Sequence, residues 1–429
     1  MARSLGQLLA SNALVGVTGL ACLPVLFRNL GPAGYGQLSL FLTLLGLAGS
    51  LDIARPTLVR ELSRDGGSAR ISELLPLVGS SQWLFSPLAL LAGGLLFGTM
   101  AGLALGLGTW LFVAGSAPHA ALAAEGRVGT AGGVRNLAWA GAFLVATGLS
   151  FATLPAHATL WPFVAANLVI LLVNRHLAQL DGALLLHRPS LGVWRRFQAQ
   201  SLDILGLSVA VAVLVSTDRL LLESSASGEV FGHYAAQYDL AIRLNMLATA
   251  LGTVLLPALS SRVASEGREL ASQRFVRQAS LVLLGFFLLI GLLLLLQQEV
   301  LRLFLGSSSL EATRVYPLLL VGVFLGVLGH LLTPWQRSCG DFRTQRRLYA
   351  IAALLMLLVG LFTVPRLGAL GALCTYGAAR SADLLMLAVE ARRLSRAALP
   401  VWRLATLALM VAILGGLAAR AVLATGGLG

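Results

Sequence analysis

Apolar residues in this chain do not alternate with polar ones as they would on a surface helix or strand. They run in long blocks, separated by short stretches where Arg, Gly, Pro and Asp collect. An α-helix needs about 20 apolar residues to cross roughly 30 Å of hydrocarbon. Blocks of that kind lie near 8–27, 36–58, 74–98, 102–123, 137–156, 159–180, 202–222, 232–256, 279–300, 315–336, 348–364, 368–389 and 404–424. The pattern therefore predicts an all-α integral membrane protein with twelve or thirteen transmembrane helices. The uncertainty in number arises at 348–364 and 368–389, which only Pro365-Arg366-Leu367-Gly368 divides, and at the last block. Arg3 followed by an apolar run imitates a secretory signal, but the run continues past Pro24 to Phe27 without a small-residue cleavage pattern. It reads as an uncleaved first span.

Composition agrees with the pattern. Of 429 residues, 57% are hydrophobic and only 11% charged, and the mean hydropathy is +0.84. Soluble domains carry about 25% charged residues. The formal charge is +13, and every one of the 31 basic residues is Arg. In a soluble domain such a balance would point to nucleic acid. Here most of the Arg residues sit between apolar blocks, where membrane topology demands them, so no nucleic-acid partner is expected. Cys22, Cys339 and Cys374 are far apart and the six His are scattered, which leaves no metal-ligand spacing and no expected metal site. There is no phosphate-binding loop and no Gly-rich strand–helix fingerprint, so no cofactor is expected.

The Arg residues also set the orientation. With the N-terminus in the cytoplasm, twenty fall in inner segments and five (Arg28, Arg302, Arg314, Arg366 and Arg420) in outer ones. That bias predicts a cytoplasmic N-terminus. Short matches suggest that spans one to six repeat as spans seven to twelve: Gly34-Tyr35-Gly36-Gln37 with Val230-Phe231-Gly232-His233, and Glu125-Gly126-Arg127 with Cys339-Gly340-Asp341-Phe342-Arg343. The expected organisation is an N-terminal lobe over 1–180 and a cytoplasmic linker over 181–200 bearing Trp194, Arg195, Arg196 and Phe197. A second six-helix lobe over 201–390 follows, then a cytoplasmic segment and an extra C-terminal span over 391–429. A repeat of this kind has its axis along the membrane normal.

Charges inside spans carry the most information, because a centred charge costs about 2.5–3.5 kcal/mol even on an insertion scale. Asp52 and Arg55 lie three apart in span two, Asp239 and Arg243 four apart in span eight, and Arg380 and Asp383 three apart in span twelve. Each spacing puts acid and base on one helix face. Asp218 and Arg219 lie near the outer end of span seven. Two readings stay open. The pairs can neutralise themselves to permit insertion, or they can line a water-filled cavity that takes an anion. Guanidinium suits the second role, since it grips phosphate with a planar fork and keeps its charge.

Arg28-Asn29-Leu30-Gly31-Pro32-Ala33-Gly34-Tyr35-Gly36, after a first span with Asn12, resembles the opening of the polysaccharide-export flippases. Those are the O-antigen and lipid-linked oligosaccharide flippases of the multidrug/oligosaccharidyl-lipid/polysaccharide (MOP) superfamily. Ser216-Thr217-Asp218-Arg219-Leu220, then Gly228 through Gly232 and Tyr234, is similar to that family's junction of spans seven and eight. The resemblance implies two six-helix bundles around a central cavity in the bacterial cytoplasmic (inner) membrane. It also implies alternating access, and transfer of a polyprenyl-pyrophosphate-linked glycan to the outer leaflet. Partners implied are that glycan, membrane lipids and the polysaccharide polymerase machinery. Arg55, Arg243, Arg380, Arg28 and Asn12 are then the candidate substrate residues, with Asp52, Asp239, Asp383 and Asp218 as charge partners or coupling groups. The same-helix Asp partners depart from a purely cationic lining.

Rivals remain within the superfamily: a lipid II flippase, or a drug/cation antiporter, which would be expected to show an acidic cavity. Arg60-Glu61-Leu62-Ser63-Arg64-Asp65-Gly66-Gly67 does not match the signature of the major facilitators. A membrane enzyme acting on lipid-linked glycans would need a sizeable outer loop, and the outer segments are short, so no enzyme is expected. The topology makes one prediction. Single cysteines placed at Arg64, Arg195, Arg268 and Arg346 should escape a membrane-impermeant label applied outside whole cells. Strong labelling at any two would reverse the assignment.

Overall fold

The computed structural model describes residues 2–51, 58, 71–152, 154–180, 190–306, 315–339, 341–394 and 401–424. Among them are fourteen α-helices, one short 3-10 turn and no strand. They divide into two compact units, Met1–Ala212 and Val213–Gly429, with the division inside one long helix. Eight helical stretches are long and apolar enough to cross a membrane by length and composition. The protein is a multi-pass membrane protein, and among the described residues the apolar blocks of the sequence lie mainly on helices.

In unit 1, α1 (Ala2–Leu51) is broken at Gly31, which takes φ 69° and ψ 170°. That backbone conformation suits glycine alone, and Pro32 restarts the helix where its missing N–H costs nothing. The break separates the first two apolar blocks. Helices α2 (Ile71–Phe97) and α3 (Thr99–Ala114) turn back on each other at Gly98, again with positive φ. After Gly115 the path continues as α4 (Ser116–Ala124), with Pro118 in its first turn. Then come α5 (Val128–Ser150), the 3-10 turn Ala156–Leu160 and α6 (Trp161–Leu177). The stretch α3–α4 is the most buried in this unit.

Helix α7 (Leu191–Ser225) crosses the division, and its first turns use residues 191–200 of the expected linker; residues 181–189 lie outside the described residues. Unit 2 continues with α8 (Gly228–Glu266), α9 (Arg268–Leu295), the short α10 (Gln297–Leu305), α11 (Val315–Ser338), α12 (Phe342–Leu367), α13 (Ala369–Leu394) and α14 (Val401–Ala424). Ser227 caps α8 by accepting from the Val230 N–H, and Glu229 places a negative charge in its first turn. Helix α11 is the buried centre of this unit, packed by α8, α9, α13 and α14. Helix α9 turns Leu281, Leu284, Leu288, Leu292 and Leu295 outward at helical spacing, a face suited to lipid.

Between helices in lipid, close packing takes the place of a hydrophobic driving force, and small residues allow it. Gly102 of α3 shows the case. A Cβ there would lie 2.6 Å from the Gly94 amide nitrogen and 3.0 Å from the Leu90 carbonyl oxygen, both backbone atoms of α2. Gly94 itself has open space where its Cβ would stand. Gly102→Val should therefore destabilise the detergent-solubilised chain by about 1–3 kcal/mol, read as a lower unfolding midpoint. Gly94→Ala should leave the midpoint unchanged or raise it. Equal midpoints for Gly102→Val and wild type would contradict this packing.

Candidate functional site

Unit 2 gathers charge where an apolar core would be cheaper. Asp218 and Arg219 on α7 are both buried, at 1% and 6% exposure. The Tyr234 hydroxyl on α8 donates to Asp218 Oδ2 at 2.7 Å. Arg219 is held from three sides. Its Nη1 stands 3.7 Å from Asp239 Oδ1, its Nη2 donates to the Val215 carbonyl at 3.1 Å, and its guanidinium carbon lies 4.4 Å from the Tyr238 ring centroid. A cation over an aromatic face in a desolvated setting gains about 2 kcal/mol or more.

A second group lies along α13. Arg380 Nη1 is 3.0 Å from Asp383 Oδ2, an ion pair of consecutive helical turns without the alignment of a hydrogen bond. The Arg380 guanidinium carbon sits 5.1 Å from the Tyr376 ring, and Tyr376 meets Tyr238 edge-on at 5.5 Å. The two groups therefore join through aromatic rings contributed by α8 and α13. Helix α11 makes room for them. Gly322, Gly326 and Gly329 face Tyr376, Arg380 and Asp383 in turn, and a Cβ at Gly326 would stand 2.7 Å from Arg380 Nη1. At Gly322 and Gly329 a Cβ would overlap Tyr376 and Asp383 outright. Asn245 of α8 closes the layer, its amide nitrogen beside the same Gly326 position.

Of the sequence candidates, the structure thus brings together Asp218, Asp239, Arg380 and Asp383. The spacing argument for Arg380 and Asp383 describes their contact. Asp239 lies against Arg219, a contact that same-helix spacing does not disclose, since it spans two helices. Arg243 is half-buried on α8, one turn beyond Asp239, with its Nη1 3.9 Å from Met246 Sδ. Asn12 and Arg28 belong to unit 1. Asn136 Nδ2 donates to Asn12 Oδ1 at 2.7 Å, tying α5 to α1, and Arg28 is exposed just before the Gly31 break. Asp52 and Arg55 lie outside the described residues. Tyr234 entered only through the family resemblance, and Tyr238, Tyr376 and Asn245 were not singled out from sequence. The available signal was their spacing: Tyr376, Arg380 and Asp383 fall at i, i+4 and i+7, on one face. A separate buried acid, Glu390 of α13, accepts from Trp335 Nε1 at 3.1 Å and Gln336 Nε2 at 3.3 Å.

No protein-family model matches the chain, and no curated protein does. Solved structures do. The lipid II flippase MurJ in an inward closed conformation superposes with a TM-score of 0.69 at 12% identity, covering 97% of each chain. An inward-facing multidrug resistance MATE family transporter of the MOP superfamily gives 0.61 at 14% identity, over 90% of this chain and 95% of that one. A MOP superfamily transporter from Pyrococcus furiosus, described as having a binding pocket of reverse polarity that suggests a different function, gives 0.55 at 15% identity, over 91% and 95%. This chain has the MOP transporter fold. The MOP fold accounts for the helical plan that the sequence resemblance implied; at these identities the likeness concerns fold alone.

The buried network predicts a stability cost. Tyr234→Phe removes the hydrogen bond to Asp218 and strands a buried carboxylate oxygen, a loss of about 1–3 kcal/mol. The unfolding midpoint of the solubilised chain should fall accordingly. An unchanged midpoint would mean that this hydroxyl does not support Asp218.

Proposed function

We propose that this protein is a flippase that moves a polyprenyl-pyrophosphate-linked oligosaccharide from the inner to the outer leaflet by alternating access. The observation that carries the reading is the placement of guanidinium groups inside a MOP-fold membrane unit. Arg219 and Arg380 are buried there beside acids and rings, while Arg243 keeps part of its surface open one turn away. A pyrophosphate in a low-dielectric passage needs a fixed positive partner, and Arg supplies a fork of donors that stays charged. Arg243 is the ligand of choice in unit 2, with Arg380 as a second candidate there; Arg55, Arg28 and Asn12 are the candidates of unit 1. Asp52, Asp218, Asp239 and Asp383 compensate the arginines or couple the cycle.

In this reading the protein sits in the cytoplasmic membrane of a bacterium, N-terminus inside, and hands its glycan to polymerase machinery outside. Lipid II carries the same pyrophosphate chemistry, and the likeness to MurJ favours it as the second substrate to try. The test uses the full chain in liposomes with a fluorescent polyprenyl-diphosphate sugar, scored by how fast an impermeant quencher reaches it. Wild type should speed flipping. Arg243→Lys keeps charge but loses the fork and should fall partway, and Arg243→Ala should fall by about tenfold or more, the scale of ~1.4 kcal/mol of lost binding. Normal flipping by a well-inserted Arg243→Ala protein would remove Arg243 from the site. Flipping of a lipid II probe but not an oligosaccharide one would reassign the substrate.

A further inference from the structure

Helix α9 is the least buried of the eight candidate spans. Its outward face is built of rows seven residues apart, a spacing that keeps side chains on one side of a helix. Arg274, Leu281, Leu288 and Leu295 form one row, and Arg277, Leu284 and Gly291 the next. Leu281 and Leu288 are 65% and 62% exposed, and Arg274 and Arg277 are exposed at the near end of their rows. From Arg277 to Leu295 a helix rises about 27 Å, close to the roughly 30 Å of a hydrocarbon core. With the leucines among acyl chains, the arginines therefore stand at headgroup level.

The end of α8 completes a basic corner. Gly267, at φ 81°, turns α8 back into α9, and the two helices pack side by side. Arg262 of α8 donates to Gln278 Oε1 at 3.2 Å, beside Arg277 in the chain. Two acids near this corner are already engaged. Glu266 Oε1 is 2.6 Å from Arg274 Nη1, and Glu390 Oε2 is 3.9 Å from Arg268 Nη2. Glu269 lies in the first turn of α9, about 12 Å of helix rise before Arg277. Arg262 and Arg277 thus have no acidic partner among the described residues. Two turns beyond Gln278, Gly285 is exposed, and a Cβ there would meet nothing. It leaves a notch bordered along the helix by Leu281, Leu288 and Leu292.

We propose that the α8–α9 corner of unit 2 binds one anionic glycerophospholipid with the chemistry of phosphatidylglycerol. Its phosphate sits between the Arg262 and Arg277 side chains, with Gln278 beside it, and one acyl chain runs through the notch at Gly285. The inference goes beyond the proposed transport and does not depend on it, since this lipid is a bound companion and not cargo. In the orientation with the N-terminus inside, it belongs to the cytoplasmic leaflet. Two features distinguish the corner from the excess of Arg that topology alone requires. Its two unmatched guanidinium groups want acceptor oxygens and negative charge, which a phosphodiester supplies together. The row that carries Arg277 also continues into the apolar face, so a single molecule can meet both. A phosphatidylcholine offers the same chains, but its ammonium group cancels the net charge that the arginines would hold.

The test titrates the full chain in detergent with phosphatidylglycerol and phosphatidylcholine of identical chains, with bound lipid counted by native mass spectrometry. Each Arg beside an anionic headgroup is worth about fivefold in affinity. Wild type should therefore prefer phosphatidylglycerol by roughly tenfold or more. Arg262→Ala and Arg277→Ala should each weaken phosphatidylglycerol about fivefold and leave phosphatidylcholine unchanged. Arg277→Gln, which keeps the bulk of the side chain, serves if the Ala variant does not fold. Gly285→Leu fills the notch without touching a headgroup, so it should weaken both lipids alike. Arg343→Ala is the control, because Arg343 is exposed at the start of α12, on the end of the unit where Phe275 of α9 stacks on Trp335 of α11. It should change nothing. Equal affinity for the two lipids, or a loss at Arg343→Ala as large as at Arg277→Ala, would reduce the corner to diffuse attraction and overturn the proposal. Displacement of the bound phosphatidylglycerol by polyprenyl diphosphate would give the corner to the transported lipid and overturn it as well.

Discussion

A guanidinium placed among membrane helices has to be compensated where it stands, and the arrangement of unit 2 follows from that. Centring one such group in a bilayer costs roughly 2.5–3.5 kcal/mol on the most lenient scale, and leaving it without its partner in a buried site costs about 3–5 kcal/mol. Arg219 meets this demand through Asp239, Tyr238 and the Val215 carbonyl; Arg380 meets it through Asp383 and Tyr376. The compensation comes from three helices, so the charges that make α7, α8 and α13 poor membrane segments one at a time also bind them together. Removing any single partner should loosen all three.

The price of bringing a charged layer between helices is space, and glycine provides it. Gly322, Gly326 and Gly329 leave α11 without side chains along the line where Tyr376, Arg380 and Asp383 lie. Unit 1 uses the same device for a different end. There Gly102 lets α3 touch the backbone of α2, with no charge between them. The comparison separates the roles: close packing alone in one unit, accommodation of a polar network in the other. It also explains why α11 is the most buried helix of unit 2 although it contributes few polar groups to the network.

Much of the fold was legible in the sequence because the bilayer is a demanding solvent. Apolar length alone located the helices, and the structure places breaks between them at Gly31-Pro32 and Gly98, where glycine takes positive φ. The blocks hardest to divide, 348–364 and 368–389 with only Pro365-Arg366-Leu367-Gly368 between them, form two helices, α12 and α13, parted at Gly368 with positive φ. At the site, spacing within a helix was informative for Arg380 and Asp383. It could not reveal that Asp239 meets Arg219, because that contact depends on how α7 and α8 pack. The tyrosines were overlooked for a related reason. A Tyr in an apolar span reads as ordinary core, and only the packed structure shows that Tyr238 and Tyr376 bridge two cations.

In the proposed function the transported headgroup is anionic, and binding tests that charge without requiring transport. The full chain in detergent would be titrated with a polyprenyl diphosphate, the matching neutral polyprenol and a lipophilic cation, with dissociation constants read by native mass spectrometry. The diphosphate should bind at least about tenfold more tightly than the polyprenol, a difference of ~1.4 kcal/mol assignable to the headgroup, and the cation should not compete with it. Tighter binding of the cation than of the diphosphate, or equal binding of diphosphate and polyprenol, would contradict an anion-binding passage.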